Sequence, residues 1–214
     1  MLRNFVRYCI EKNESTRFKP LLIPSPDMRG VGLANPSVLY DGDRIRVNLR
    51  NLNYTLFHSE ENQFNHYYGP LQYIHPEHDV TLTTYNYMGD LDPETLEVEN
   101  ATLVDTSRHD AKPIWTFVGL EDARLIRWDG KLFLCGVRRD TTTNGVGRME
   151  LSEIEETGEG YKEISRTRIP APGNDDTYCE KNWMPILDKP YHWIKWCNPT
   201  EVVKFDPETE VTEA

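Results

Sequence analysis

Short apolar runs separated by polar turns dominate the chain, and their spacing predicts β-strands rather than helices. No stretch keeps apolar residues at i, i+3, i+4 and i+7 over three turns, as an amphipathic helix requires. The runs are rich in β-branched and aromatic residues, and Asp-Gly, Pro and Asn stand between them. The pattern therefore predicts an all-β fold.

A strand–turn–strand pattern occurs three times along the chain. Asp-Gly between two apolar runs is a strong hairpin signal, because the tight turn favours residues that tolerate positive φ. The third copy has Asp-Lys-Pro at the same place. The copies and their predicted turns are 35–50 with Asp41, 122–139 with Asp129, and 181–196 with Asp188.

A second hairpin follows each copy, so the repeating unit has four strands. Its turns are predicted at Asp92-Pro-Glu-Thr95, at Gly158-Glu-Gly160 and at Asp206-Pro-Glu-Thr209. Four-stranded units that repeat radially are the blades of a β-propeller. We therefore predict one partial β-propeller domain over residues 1–214. Its blade-like units cover about 30–105, with an insertion at about 51–80, then 120–168 and 180–214.

The third unit ends just after its last turn, and its fourth strand is expected to be largely missing. Three blades cannot close a ring, and the edge strands of an open stack stay unpaired. We therefore expect the chain to be a fragment of a longer protein, or to complete its fold with another chain. The alternative is an open stack of sheets with frayed last residues.

Composition and charge argue against several classes of protein. The 214 residues carry a net charge of −11 without a basic stripe, so no nucleic-acid binding is expected. The four cysteines form no CxxC pair, which argues against a zinc ribbon, and Cys135 lies in an apolar run as a buried thiol. The sequence has neither a signal-peptide core nor an apolar run of membrane-spanning length. We therefore expect no membrane association and a cytoplasmic location.

The insertion holds a pair of histidines that invites a metal-site interpretation. His75 and His78 are separated by Pro-Glu, and the proline breaks any helix that would bring both rings to one face. We therefore predict no metal site. The insertion is instead predicted to be a lid or interface loop, with Tyr67, Tyr68 and Tyr73 available to stack on a sugar ring.

Polar residues are concentrated where the first strand of each unit begins. In a propeller that strand lines the central channel, so equivalent positions of successive units converge on one pocket. Carboxylates for proton transfer beside cations for an anion suit a sugar-phosphate site. The polar residues at these strand starts and hairpin ends are Asn35, Ser37, Arg50, Glu121, Asp122, Arg124, Arg138, Arg139, Glu180, Lys181 and Asn182.

These segments resemble glycoside hydrolase family 130, which contains β-mannoside phosphorylases and β-mannosidases. The family's Gly-x-Glu-Asp-Pro-Arg signature is matched by Gly119-Leu-Glu-Asp-Ala-Arg124, its Asn-Pro-Ser/Ala segment by Asn35-Pro-Ser37, and its Glu-Lys-Asn segment by Glu180-Lys-Asn182. The resemblance covers roughly residues 30–205. It implies a five-bladed β-propeller with the site in its central cavity, of which about three blades are present in this chain. The chain is also similar to propeller segments beside glycosyltransferase domains, which implies a fused or partner glycosyltransferase domain.

The resemblance implies an inverting enzyme that acts on β-mannosides, with Asp122 as the general acid. Its substrate is a carbohydrate, inorganic phosphate is the nucleophile and co-substrate, and no cofactor is implied. A hydrolase would need a second carboxylate to activate water. The substrate-binding residues implied are Asn35, Ser37, Arg50, Glu121 and Arg124, and the phosphate-binding residues are Arg138, Arg139, Arg148 and Lys181.

Two features depart from the family pattern. Ala123 stands where the family has proline, which relaxes the backbone beside the acid, and the distal blades that close the pocket are absent. Alternatives therefore stay open: a non-catalytic carbohydrate-binding or scaffolding propeller associated with a glycosyltransferase, a propeller of another glycosidase family, or a structural ion-pair network around Glu121, Asp122 and Arg124.

The direction of several side chains can also be predicted. Adjacent residues of a strand point to opposite faces, so Glu121 and Asp122 are not expected to face the same pocket. For the same reason, one of Arg138 and Arg139 is expected to face the channel, although Arg138 could equally lie in a solvated loop. The tryptophans expected mostly in the core are Trp183, Trp193 and Trp196.

Overall fold

The computed structural model describes residues 32–58, 71–74, 81–174 and 177–214, together with Tyr8, Glu11 and Arg29; residues 55–58 and 71–74 are described by their backbone alone. The elements in this part of the chain are 15 strands, β1 to β15 in chain order, and a 3-10 turn at Pro172–Asn174. The prediction of an all-β fold is confirmed. None of the sheets formed by these strands closes into a barrel, and none of the described helical segments is long and apolar enough to span a membrane.

Most of the strands form three antiparallel rows of four, each built from one predicted unit, and a fifth strand extends the first sheet. The two-residue β7 pairs in parallel with the start of β5 and extends the first sheet. In the first sheet the order is β1 (Gly32–Asp41), β2 (Arg44–Leu52), β5 (Leu82–Leu91) and β6 (Val98–Leu103), with β7 at Phe117–Val118. The second sheet contains β8 (Glu121–Trp128), β9 (Lys131–Arg138), β10 (Arg148–Thr157) and β11 (Gly160–Arg168). The third contains β12 (Met184–Pro185), β13 (His192–Cys197), β14 (Thr200–Asp206) and β15 (Val211–Glu213).

The predicted insertion contains a separate hairpin. Its strands are β3 (Thr55–His58) and β4 (Leu71–Ile74), which pair antiparallel with each other. Along the chain they come between β2 and β5 of the first sheet. The histidine pair at 75 and 78 and the tyrosines at 67 and 68 lie outside the described residues. Tyr73 lies in β4, where only the backbone is described, so the predicted stacking role of the insertion stays a prediction.

The hairpin turns follow the sequence pattern closely, with two differences. Asp129 and Gly130 join β8 to β9 with φ angles of 50° and 77°, as an Asp-Gly hairpin requires. The predicted turn at Asp188 is instead a longer connection over 186–191. Asp188-Lys-Pro contains no glycine, and proline fixes φ near −65°, so positive φ comes only at Tyr191. The fourth strand of the third sheet, expected to be largely missing, is present as β15, three residues long and paired with β14.

Two buried layers join the sheets in chain order. Between the second and third sheets, Trp128 meets Trp193 edge-to-face, with ring centroids 5.2 Å apart and an interplanar angle of 80°. Trp183 and Trp193 are fully buried there, as predicted, together with Cys135. Between the first and second sheets the buried residues are Leu39, Met88, Val104, Leu120, Ala123, Leu125, Leu132, Leu134, Ile154 and Tyr161.

The first strands of the three sheets are neighbours. β8 lies against β1 on one side and against β12 on the other. The starts of these strands come together, since Asn35 in β1, Asp122 in β8 and Asn182 just before β12 lie around one cavity. This arrangement positions the candidate site.

Candidate functional site

The same backbone irregularity occurs at the start of β1 and of β8. In each strand two residues bulge opposite a single partner residue: Asn35-Pro36 in β1 and Asp122-Ala123 in β8. Asn35 and Asp122 occupy the equivalent first position and have φ angles of 44° and 52°. Among residues with a side chain, Asn and Asp tolerate this left-handed conformation best. The residue types at the site are therefore also the types that the backbone needs.

The third sheet repeats this feature just before β12. Asn182 has a φ of 63° and precedes the strand by two residues. Asn35, Asp122 and Asn182, one from each sheet, line a single cavity of about 340 Å³. We call it the strand-start cavity; its lining residues are Asn35, Pro36, Ser37, Asp122, Ala123, Arg124 and Asn182.

Asp122 is held by two donors from the first sheet. Asn35 Nδ2 and Arg50 Nη1 both donate to its Oδ1, the latter at 2.5 Å. Oδ2 has no protein partner among the described residues, and the side chain is 26% exposed. One carboxylate oxygen is thus fixed, while the other is open to a bound molecule.

Arg50 joins the two adjacent acids of β8. Its buried guanidinium contacts Glu121 Oε2 at 3.2 Å as well as Asp122, and it also donates to the hydroxyls of Tyr54 and Thr84 at 3.1 Å. Asp122 lines the strand-start cavity and Glu121 does not, which agrees with the expectation that the two acids do not face the same pocket. Arg50, also predicted to bind substrate, is likewise outside the lining, yet both acids contact it. The left-handed φ of Asp122 interrupts the alternation of the strand, so both carboxylates reach the same guanidinium.

Glu121 lies deeper than Asp122 and is 14% exposed. Burial raises the pKa of Glu121 above its ordinary value, while the nearby charges of Arg50 and Arg139 lower it and that of Asp122 raises it. The balance favours a carboxyl that keeps its proton to higher pH than a solvated glutamate. The site therefore holds a partly exposed aspartate beside a glutamate whose burial makes it harder to ionise than a solvated glutamate.

The adjacent arginines at the end of β9 face opposite ways, as predicted. Nε of Arg139 lies 3.9 Å from Glu121 Oε1, and its guanidinium is 5.2 Å from the centroid of the Phe117 ring. Arg138 is buried on the other face, where it contacts Asp140 at 3.2 Å and Glu150 at 2.8 Å. The alternative of a solvated loop is therefore wrong for Arg138.

The remaining predicted phosphate-binding residues lie in different surroundings. Arg148 is buried and donates to the carbonyl oxygens of Gly147 at 2.9 Å and Tyr178 at 2.7 Å, so it anchors a loop. Lys181 is exposed and stands next to Asn182, which lines the strand-start cavity. The structure thus brings Lys181 near the cavity and does not bring Arg138 or Arg148 to its lining.

Ser37 and Arg124, both predicted to bind substrate, do line the cavity. Ser37 Oγ accepts the N–H of Leu125 at 2.9 Å and so fastens β1 to β8. Arg124 is exposed, and no described carboxylate pairs with it. Arg124 is therefore a cation available to an anionic ligand.

Two buried asparagines that support the site were not predicted. Asn48 Nδ2 donates to the carbonyl oxygen of Ala123 at 3.2 Å, and Asn86 Nδ2 donates to that of Leu120 at 2.9 Å. They fix the backbone on both sides of the two acids. A signal exists in the sequence, because each asparagine interrupts an apolar strand, in Val47-Asn-Leu49 and in Tyr85-Asn-Tyr87.

A larger cavity of about 550 Å³ lies between the first and second sheets. The charged groups in its lining are largely paired with one another: Glu163 accepts from Ser152 and Arg166, and Asp140 from Arg138. We place the candidate site at the strand-start cavity instead, because three sheets contribute to it and its cation is unpaired. In the described residues no group of three or more His, Cys, Asp or Glu could hold a metal ion.

Comparisons of the chain with protein-family models, with curated proteins and with solved structures find no match. Function has therefore to be inferred from the strand-start cavity itself. The cavity offers one acid with an open oxygen, amide and hydroxyl groups, and an unpaired guanidinium. These groups can bind hydroxyls, hold an anion and move a proton.

Proposed function

We propose that the protein binds a β-mannoside in the strand-start cavity and cleaves it with phosphate as the nucleophile. The observation that carries the proposal is the convergence of Asn35, Asp122 and Asn182 from three sheets on one cavity that also holds the unpaired Arg124. Amides and a carboxylate suit sugar hydroxyls, and an unpaired guanidinium suits phosphate. The resemblance of three segments to motifs of glycoside hydrolase family 130 supports the same activity.

The three sheets would be consecutive blades of a five-bladed β-propeller. Three features support this part of the proposal: a row of four antiparallel strands in each sheet, packing of the sheets in chain order, and neighbouring first strands. Closing such a ring would take two further blades, fused to a glycosyltransferase domain or contributed by a partner. They would supply the far wall of the cavity.

In the proposed reaction a phosphate oxygen attacks the anomeric carbon from the face opposite the glycosidic bond. As the new C–O bond forms, the bond to the leaving sugar oxygen breaks, and that oxygen takes a proton from Asp122, directly or through a sugar hydroxyl. The products are mannose 1-phosphate of inverted configuration and the released sugar. Asp122 regains its proton from solvent or from the next phosphate. Arg124 and Lys181 would hold the phosphate, and Asn35 and Ser37 the sugar ring.

A second candidate is carbohydrate binding without catalysis. The observation that favours it is the fixed position of both acids, since Glu121 and Asp122 share the buried Arg50 as a structural ion pair would. In that case the cavity would recognise a sugar for an attached glycosyltransferase. Phosphate would then have no effect on the bound sugar.

The two candidates differ in what they do to a β-mannosyl disaccharide in the presence of phosphate. We expect mannose 1-phosphate to accumulate only when phosphate is present. Asp122→Asn should lower the rate by about 10²- to 10⁴-fold, the usual contribution of a general acid, while preserving the left-handed backbone. Asp129→Asn is the matched control, because Asp129 also has positive φ but lies in an exposed turn.

The outcomes separate the candidates. Saturable sugar binding by the wild-type protein without turnover would support the binding candidate and overturn the enzymatic one. Turnover that is unchanged in Asp122→Asn would remove Asp122 from the mechanism. Absence of both binding and turnover would overturn both candidates.

A further inference from the structure

Two aromatic side chains remain exposed near the candidate site. Tyr178 and Trp196 are 47% and 46% exposed, and their ring centroids lie 6.2 Å apart at an interplanar angle of 55°. The prediction that Trp196 belongs to the core was therefore wrong. Two large aromatic rings that are exposed side by side are typical of a ligand-binding surface.

The position of Trp196 follows from a shift in register within β13. Between Ile194 and Trp196 the strand bulges, so Trp196 pairs with Glu201 of β14. Glu201 shares its face with Val203, which packs against the second sheet. Trp196 thus lies on the face of the third sheet that also carries Trp193 and Val203, whereas the row Met184–Ile194–Val202 lies on the opposite face.

Contacts connect the aromatic pair to the strand-start cavity. Cys179, the neighbour of Tyr178, accepts a hydrogen bond from Arg139 at 3.6 Å, and Arg139 in turn lies beside Glu121. Asn182, four residues after Tyr178, lines the cavity itself. Four residues span at most about 14 Å when fully extended. The aromatic pair is therefore within reach of a second or third sugar ring of a chain bound in the cavity.

Charged groups beneath the rings order the pair and add polar contacts. Lys195 Nζ lies 5.8 Å from the centroid of the Tyr178 ring and contacts Glu180 at 2.7 Å and Glu201 at 3.6 Å. A cation below an aromatic face stabilises the position of the ring. Glu201 is partly exposed and offers a carboxylate at the rim of the pair. Aromatic faces beside a carboxylate suit a sugar ring, which has apolar C–H faces and hydroxyls at its edge.

We propose that Tyr178 and Trp196 form a platform for the additional rings of an oligosaccharide whose terminal ring occupies the strand-start cavity. The substrate class is then a β-linked oligosaccharide rather than a monosaccharide glycoside. This inference rests on the proposed carbohydrate binding at the cavity, but not on catalysis there. It assigns a role in specificity to a surface outside the cavity.

The test compares the binding of β-mannotriose with that of mannose to the full chain by isothermal titration calorimetry. Trp196→Ala should weaken binding of the trisaccharide about tenfold, an effect of the size expected for a lost aromatic contact. Binding of mannose should stay unchanged. Trp196→Phe should largely restore trisaccharide binding, since the ring face is kept. Tyr40→Ala is the matched control, because Tyr40 is 75% exposed on the first sheet and should affect neither ligand.

The outcomes distinguish failure of the platform from failure of the cavity. If wild-type protein binds both ligands with equal affinity, or if Trp196→Ala leaves trisaccharide binding intact, the platform is overturned while the cavity stands. If Trp196→Ala weakens both ligands equally, its effect acts through the fold and the platform is again overturned. If wild-type protein binds neither ligand, the proposed carbohydrate site fails and the platform fails with it.

Discussion

Asp122 has to satisfy two structural requirements at once, one of its backbone and one of its side chain. Its φ of 52° requires a residue that accepts the left-handed conformation, and its carboxylate bridges the first and second sheets through Asn35 and Arg50. A substitution to alanine would remove the contacts and strain the backbone at once. Loss of activity in that variant would therefore say little about proton transfer, which is why asparagine is the informative replacement.

The backbone demand can be measured by comparing two variants that both lack the side-chain contacts. Asp122→Gly should be more stable than Asp122→Ala by about 1–2 kcal/mol, because the left-handed conformation is sterically unfavourable for alanine and not for glycine. At an ordinary strand position glycine would be the less stable of the two. Urea unfolding of both variants checks the difference. Equal stabilities, or a more stable alanine variant, would contradict the strained geometry.

The ion pairs at the site show why residue-level prediction from the sequence was only partly successful. Repeat positions brought Asn35, Asp122 and Asn182 to one cavity as expected, because equivalent strand starts share one place in the fold. Arg138 and Arg148 were wrongly expected beside them. Whether a guanidinium turns toward a cavity or toward a buried carboxylate depends on partners distant in sequence, such as Glu150 for Arg138.

The bulge at the start of β8 depends on a glycine in the neighbouring strand. Gly136 lies opposite Asp122 and Ala123, and a Cβ at this position would stand 2.5 Å from the carbonyl oxygen of Glu121 and 3.0 Å from Cα of Ala123. Backbone atoms cannot move away as a flexible side chain can. The glycine thus keeps the space into which the left-handed residue folds.

Gly136→Ala should therefore disturb the site as well as the sheet. We expect the free energy of unfolding to fall by about 1–3 kcal/mol, the usual cost of forcing extra volume into a packed position, and ligand binding at the strand-start cavity to weaken. Chemical denaturation measures the first effect and calorimetry the second. Gly158→Ala is the matched control, because no atom lies within 4 Å of its added Cβ. If both variants unfold alike, the close approach is not what shapes the bulge.

At the level of elements, the sequence predicted the hairpins better than their irregularities. The Asp129-Gly130 turn was readable because its two residues determine the turn type locally. The bulges were not, because strict alternation of faces was assumed and a one-residue irregularity leaves no apolar signature. The error at Trp196 has the same origin, since the bulge in β13 changes which face this residue joins.

At the scale of the whole molecule, the described sheets are joined by apolar layers, and a network of charges links the first and second sheets at their turn end. Asp41 of the first sheet accepts hydrogen bonds from Arg127 of the second sheet at 2.6 and 2.7 Å, and also from Arg46. Glu156 of the second sheet in turn pairs with Arg46 at 2.7 Å. The network thus fastens the two sheets at the end opposite the candidate site, so that relative movement of the sheets there would break charged contacts.

This charge network makes the free energy of unfolding depend on pH through Asp41. The hydrogen bond from Arg127, followed by that from Arg46, lowers the pKa of Asp41 from 3.8 to about 2. Because the folded-state pKa lies below the unfolded value, the stabilisation is complete above 3.8 and is lost as the pH falls through about 2.

Asp41→Asn should consequently be less stable than the wild type near neutral pH, and the difference should shrink as the pH falls from about 4 to about 2, the window set by these pKa values. Urea unfolding at a series of pH values measures it. Asp43→Asn, in the same turn but exposed, is the matched control and should follow the wild type. The free energies of unfolding of Asp41→Asn and the wild type could instead differ by the same amount across this window. In that case the Asp41 carboxylate would not be the source of the pH dependence.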